Sequence, residues 1–313
     1  MAFKRNPQKV NGCTKTVVLG VGESAITLGG ENVRPLYTFD APIVNKPRVG
    51  IEITDAGVDK SLPGIAAAFE GAETFADMAK KAEALPGVDF ICISLIGADP
   101  NGEDKGIDEC AAICKEIGEA TNLPIVVSGS KNAEKDAKLF EKCAEALQGK
   151  NALFMSATED NYKAVAASAG MAYSQKIAAE SAVDINLAKQ LNVLVDKMGL
   201  AADNVVMNVG SAAAGYGYEY VASTMDRVKA AALEQNDGML QNPIITPIAG
   251  DAWSVKEALA SEADYPVWGP AEKRGIAMEI TTAAACLASG SNAVILKHPQ
   301  SVAAVSKFIA ELM

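Results

Sequence analysis

The chain has 313 residues, with 28 basic side chains against 39 acidic ones and a formal net charge of −11. Such an acidic surface is poorly suited to gripping phosphate backbones, so nucleic acid is not an expected partner. A content of 49% hydrophobic and 21% charged residues marks a folded globular chain rather than a disordered one.

The opening stretch MAFKRNPQKV carries charge with no apolar run behind it, which predicts a cytoplasmic chain without a secretory signal. No later run approaches the roughly 18–20 apolar residues of a membrane helix. Lys15–Leu19 and Ser24–Leu28 then flank a short glycine-bearing link and predict a β-hairpin. The link contains Gly20-Val21-Gly22-Glu23-Ser24-Ala25, a match to G-x-G-x-x-A. A dinucleotide loop needs a helix next, and Ile26-Thr27-Leu28-Gly29-Gly30 reads as strand and turn instead.

From residue 49 a series of short apolar runs begins: 49–54, 89–95, 124–128, 152–156, 172–177, 204–208, 243–247 and 293–297. Short continuous runs are the pattern of parallel strands covered on both faces. Helix-period stripes separate them. Ala133, Ala137, Phe140, Ala144 and Leu147 form one, Val183, Leu187, Leu191, Leu194 and Met198 another, and Val302, Val305, Ile309 and Leu312 the last. Ser130 and Asn132 precede the first of these helices, and Ser301 follows Pro299 at the last, as capping residues. Residues 49–313 thus hold eight strand–helix units of about 33 residues, the size that closes a (β/α)8 TIM barrel. Residues 1–48 form an N-terminal extension whose hairpin is expected to plug the barrel bottom.

The six cysteines, Cys13, Cys92, Cys110, Cys114, Cys143 and Cys286, show no C-x-x-C spacing. Cys110 and Cys114 fall on the apolar face of a predicted helix, so buried free thiols are expected, with neither an iron–sulfur cluster nor a zinc site. His298 is the only histidine, which removes two-histidine metal sites. Its place before Pro299 suits the start of a helix better than catalysis.

A barrel keeps its site at the C-terminal strand ends. Here those ends are rich in small, amide and hydroxyl residues and poor in charge: Thr54-Asp55, 96–102, 128–130, 157–161, 208–216 and 248–253, with Lys176 and Lys297-His298 at the remaining ends. No nucleophile–base pair is evident. Three alternatives remain open at this point. Asp99, Asp160 and Asn208 could hold a pterin by paired hydrogen bonds. Lys176 or Lys297 could form a Schiff base. The aromatics Tyr216, Tyr218, Tyr220, Trp253 and Trp268, on loops, could anchor a partner or stack on a flat ligand.

The runs VGIEITD (49–55), FICISLIGADPNGEDKG (90–106), LPIVVSGSKNAEKDAKLFEKCAEAL (123–147), FMSATEDNYK (154–163), VVMNVGSAAAGYGYEY (205–220), ITPIAGDAWSVKEA (245–258) and SNAVILKHPQSV (291–302) resemble the small subunit of the corrinoid iron–sulfur protein. This is the delta-type subunit of CO dehydrogenase/acetyl-CoA synthase, a methyl carrier of the reductive acetyl-CoA pathway of anaerobes. The resemblance implies a barrel related to pterin-binding methyltransferases and a heterodimer. Its large subunit carries the four-iron cluster and the mobile corrinoid-binding domain. The corrinoid (cobalamin) is shared, with the small subunit presenting its barrel top to the cobalt face.

The implied chemistry is transfer of a methyl group from methyltetrahydrofolate, bound on a separate methyltransferase, to Co(I). The methyl–Co(III) so formed delivers it to acetyl-CoA synthase/CO dehydrogenase, and a reductive activator is a further implied partner. The D-x-H-x-x-G motif of common cobalamin carriers is absent, so this chain does not supply the lower ligand. Expected cap-lining residues, by position, are Asn208, Ser211, Ala212, Ala213, Tyr216, Gly250, Asp251 and Trp253. No catalytic or metal-ligating residue is assigned, which suits a non-catalytic subunit. The alternative is a pterin-dependent methyltransferase acting on methyltetrahydrofolate itself.

Overall fold

The first two strands, β1 (Thr16–Leu19) and β2 (Ile26–Gly29), pair antiparallel, with Val17 opposite Leu28 and Leu19 opposite Ile26. In the computed structural model, which describes residues 6–313, the apolar runs that follow form eight parallel strands. These are β3 (Arg48–Thr54), β4 (Phe90–Ser94), β5 (Ile125–Ser128), β6 (Leu153–Ala157), β7 (Lys176–Glu180), β8 (Val205–Asn208), β9 (Ile245–Pro247) and β10 (Ala293–Leu296). Strands consecutive in the chain are neighbours from β3 to β8, and β10 pairs with both β9 and β3. The seam between β8 and β9 is joined by a parallel bridge from Met207 to Ile244, which nearly closes the ring.

The helices, in chain order, are α1 (Pro63–Ala68), α2 (Phe75–Ala84), α3 (Ile107–Ala120), α4 (Ala133–Ala146), α5 (Tyr162–Val165), α6 (Ile185–Lys197), α7 (Tyr218–Leu233), α8 (Ala249–Ser254), α9 (Lys256–Leu259), α10 (Ala271–Ser289) and α11 (Pro299–Leu312). Their apolar faces cover the outward-pointing strand residues, such as Val49, Ile51 and Ile53 of β3, which share an apolar cluster with Met78 of α2 and Val302 and Val305 of α11. No helix among the described residues is long and apolar enough to cross a membrane.

A second apolar cluster fills the lower half of the barrel interior. Phe90, Cys92, Val126, Leu153, Met155, Ala178, Val206, Ile245, Ala293 and Ile295 point inward from the strands. Val17, Leu19, Ile26 and Leu28 of the hairpin join them, so the hairpin is the bottom plug. Burial of each such side chain contributes about 2 kcal/mol. Gly50 makes room for this layer: a Cβ there would lie 2.2 Å from the Phe90 ring. The plug is also tied by polar bonds. Asn151 Nδ2 donates to the Val18 carbonyl, and Lys229 of α7 holds Glu31 at 2.7 Å, both side chains buried.

Three sequence expectations shift. The fifth barrel strand is Lys176–Glu180 and not 172–177, because Ala166–Ala172 continues α5 as a π-helical turn. The alanines of KIAAE lack the β-branched character of the other strands, which hid its position. Val183 lies before α6 rather than within it, since Asp184 caps that helix by accepting from the Asn186 and Leu187 N–H groups. The cap of α11 is His298, whose Nδ1 accepts from the Gln300 N–H, whereas Ser301 is buried inside the first turn. Asn132 caps α4 as its spacing suggests, accepting from the Lys135 N–H.

Candidate functional site

Strand alternation decides what faces the barrel axis. Above the apolar layer the inward positions turn polar and enclose a cavity of about 410 Å³ at the C-terminal end of the strands. Its wall is built from Glu52 on β3, Ser94 on β4, Ser128 on β5, Met155 and Ser156 on β6, Glu180 on β7, Asn208 on β8 and Pro247 on β9. A register shift between Met155 and Ala157 accompanies the exposure of two consecutive β6 residues to the cavity. In the ring order β3 and β7 stand opposite each other, so Glu52 and Glu180 face the cavity from opposed walls.

Asn208 is held from three sides. Its Nδ2 donates to Ser156 Oγ at 3.1 Å and to Glu180 Oε2 at 3.2 Å, and its Oδ1 accepts from the Gly210 N–H at 3.0 Å. The last bond starts the small-residue loop 209–215. Across the mouth, the loop between β5 and α4 is clamped by Asp136. Its carboxylate accepts from the Ser130 N–H and hydroxyl and from the Lys131 N–H. Burial nevertheless pushes the Asp136 carboxyl above the usual range. Lys131 itself sits at φ +70° and lines the cavity. Burial pushes the Glu52 carboxyl up, and Ser94, Lys297 and Lys131 offset only part of that. Asp251 on α8 is raised for the same reason, offset in part by Ser211 and Lys131.

A second, shallower groove of about 280 Å³ adjoins the mouth, lined by Ser211, Ala212, Ala213, Tyr216, Asp251, Ser254, Val255 and Lys256. The Tyr216 hydroxyl donates to Glu257 Oε2 at 2.5 Å, pinning the aromatic rim of this groove. Of the residues expected from the sequence, Asn208, Ser211, Gly250 and Asp251 line the cavity, and Ala212, Ala213 and Tyr216 line the groove. Trp253 lines neither. It is buried, stacked on His298 with ring centroids 5.9 Å apart, and fills the hollow left by Gly275, where a Cβ would lie 2.3 Å from its ring.

The network beneath Trp253 is structural. Glu279, fully buried, accepts from the backbone N–H groups of Lys297 and His298. Burial pushes its carboxyl up to about 7. His298 Nδ1 accepts a backbone bond, so its proton sits on Nε2, 3.3 Å from Glu272 Oε1. Burial lowers the His298 pKa.

The pterin trio is not assembled. Only Asn208 reaches the cavity; Asp160 faces an outer groove beside α4, and Asp99 accepts from Asn101 within its own loop. Lys176 stands at the start of β7, on the barrel floor, bonded to Asn204 Oδ1. Lys297 is paired with Asp59 at 2.7 Å. Sequence reasoning missed Glu52, Glu180 and Lys131. Glu52 was legible as a charge at an inward position of an apolar strand, and Glu180 became visible only once β7 was placed. Cys92, Cys110, Cys114, Cys143 and Cys286 are buried and Cys13 is exposed. Among the described residues no cluster of three or more metal-ligating side chains occurs. The cavity thus offers carboxylate acceptors beside hydroxyls and amides that both donate and accept, suited to groups such as carboxamides that do the same.

The family model described as "CO dehydrogenase/acetyl-CoA synthase delta subunit" matches residues 16–288. The acetyl-CoA decarbonylase/synthase complex subunit delta of Archaeoglobus fulgidus is 32% identical over 298 residues, covering 92% of this chain and 64% of that protein. The counterpart from Methanopyrus kandleri is 32% identical over 303 residues, 94% of this chain and 74% of the relative. The chain spans just under two thirds of the length of the Archaeoglobus protein and 66% of its Methanosarcina thermophila relative. Among solved structures, a Xanthomonas albilineans dihydropteroate synthase with 4-aminobenzoic acid superposes with a TM-score of 0.55 at 13% identity, over 95% of this chain and 97% of that one. A 7,8-dihydropteroate synthase from Vibrio fischeri gives the same TM-score at 11% identity, again over 95% of this chain and 97% of that one. At such identities the likeness is one of fold, the TIM barrel.

Proposed function

Because the chain belongs to the family of CO dehydrogenase/acetyl-CoA synthase delta subunits, we propose that it is the small subunit of a heterodimeric corrinoid iron–sulfur protein and caps the cobalt face of the corrinoid with its barrel top. The observation that carries this reading is the polar cavity at the C-terminal rim, open between small-residue loops.

The donor set fits the group. A corrin is rimmed with carboxamides, which both donate and accept hydrogen bonds. Asp251, Ser211 and the backbone of loop 209–215 would meet that rim, and the groove beside Tyr216 would take a flat edge. Ser211 Oγ is shielded from solvent and stands beside Asp251, so the two form one polar pair at the rim. Bound there, the corrinoid supplies the cobalt that accepts and releases a methyl group. The chain's own residues orient the macrocycle and exclude water from the covered face. In this reading the corrinoid is shared with a large subunit that carries the iron–sulfur cluster. The other partners are a methyltetrahydrofolate methyltransferase, acetyl-CoA synthase and a reductive activator.

The test is an anaerobic titration of the corrinoid-loaded large subunit with this chain, followed by corrinoid absorbance. Saturable spectral change with one equivalent is expected. A spectrum that stays unchanged while the two chains co-elute would remove the cap.

A further inference from the structure

The cavity is electrostatically lopsided. Glu52 and Glu180 enter it from opposed walls, Asp251 stands at its mouth, and Lys131 is the one cation among its described lining residues. Asp136 also borders it, but three donors from Ser130 and Lys131 disperse its charge. Below the carboxylates the barrel is filled by the apolar layer around Met155 and Cys92, so no solvent lies beneath to screen them.

We infer, resting on the cap reading above, that Glu52, Glu180 and Asp251 hold a negative potential under the macrocycle that disfavours its more reduced cobalt state, and that Lys131 opposes them. The physics is charge arithmetic. Adding one electron to Co(II) makes the cobalt–corrin unit one charge more negative. A negative field from a low-dielectric wall opposes that addition, so the Co(II)/Co(I) equilibrium in the capped complex is displaced toward Co(II). The electron, once added, is held at higher energy, and the capped centre is the stronger electron donor. The cap is then a setting of redox poise as well as a shield. Carboxamides alone would be satisfied by neutral serines and asparagines. Two carboxyl groups facing each other across one cavity are more than hydrogen bonding requires.

The experiment is a spectrophotometric redox titration of the reconstituted complex with titanium(III) citrate and mediators. It is run on the wild type, on Glu180→Gln, Glu52→Gln and Asp251→Asn, and on Lys131→Met. Glu180→Gln is expected to shift the equilibrium toward Co(I) by about tenfold, a rise of about 59 mV for a one-electron couple, with smaller shifts of the same sign for Glu52→Gln and Asp251→Asn, whose carboxyls burial pushes toward the neutral form. Lys131→Met is expected to move it the other way. Opposite signs from isosteric neutralisations are not produced by loosened packing, and Asp251 at the mouth provides a variant outside the barrel wall. Variants that bind the large subunit as the wild type does and leave the midpoint unmoved would overturn the inference while the cap stands. So would a Lys131→Met shift of the same sign as the acid variants. If the wild-type chain itself changes neither midpoint nor absorbance of the large subunit, the cap reading fails and this inference goes with it.

Discussion

Replacing Lys229 with Met tests how firmly the N-terminal extension is built into the barrel. Lys229 Nζ lies 2.7 Å from Glu31 Oε1 and 3.1 Å from Asn292 Oδ1, and Asn292 Nδ2 donates to the same Glu31 oxygen at 2.9 Å. Lys229 and Glu31 are 2% and 7% exposed. Burial alone would push the Glu31 carboxyl up, but the Lys229 charge and the bonds from Asn292 and Lys229 outweigh it and hold the carboxyl below its ordinary value. Lys229→Met keeps the apolar stem and strands Glu31. Removing one partner of a buried pair costs about 3–5 kcal/mol, whereas replacing both with apolar groups is often near neutral. The double variant Lys229→Met/Glu31→Leu should therefore recover most of the loss.

The sign with pH follows from the same bookkeeping. In the wild type the depressed Glu31 value stabilises above its unfolded pKa, and that contribution fades as pH falls through the folded one. In Lys229→Met the Asn292 bond remains but burial loses its main counterweight, so the defect should be larger near about pH 8 than near about pH 5. Urea unfolding monitored by circular dichroism at the two pH values measures both effects. A loss below about 1 kcal/mol, the scale of an exposed pair, would refute the buried tie. So would a double variant no more stable than the single one.

Two further outcomes are expected. Glu279, raised from 4.5 to about 7 by burial, contributes stability that is fully present below the unfolded value and is lost as pH rises through the folded one. The span corresponds to about 3 kcal/mol lost between about pH 4.5 and 7, and Glu279→Gln should flatten that slope in denaturant unfolding; an unchanged slope counts against it. Gly275→Ala places a Cβ against the Trp253 ring, 2.3 Å from the Cζ3 position. It should cost about 1–3 kcal/mol of overpacking and shift Trp253 emission to the red; wild-type stability would show that the ring is not seated there.

The barrel was legible because buried parallel strands write themselves as apolar runs, and seven of the eight stood where those runs placed them. The exception, KIAAE at β7, shows the limit. Two alanines inside a barrel wall look like helix, and the preceding residues 172–175 carry a tyrosine that looks like strand. That one slip hid Glu180, since the strand end was then sought at Lys176. Glu52 was hidden differently: it sits within a strand, two residues before the loop where function was sought, although Gly50, Glu52 and Thr54 share the inward face. The rim loops around Asn208 and Gly250 were readable from their small residues. Trp253 was not, because the hollow that takes it is made by Gly275, distant in sequence and silent in any local pattern.

The cap requires that the C-terminal end of the barrel meet the cofactor-bearing partner. Hydrogen–deuterium exchange of this chain, with and without the corrinoid-loaded large subunit, reads that directly. Peptides covering 208–216 and 249–257 should gain protection while the hairpin over 16–29 stays unchanged. Protection confined to the hairpin end, with the rim exchanging as in the free chain, would contradict it.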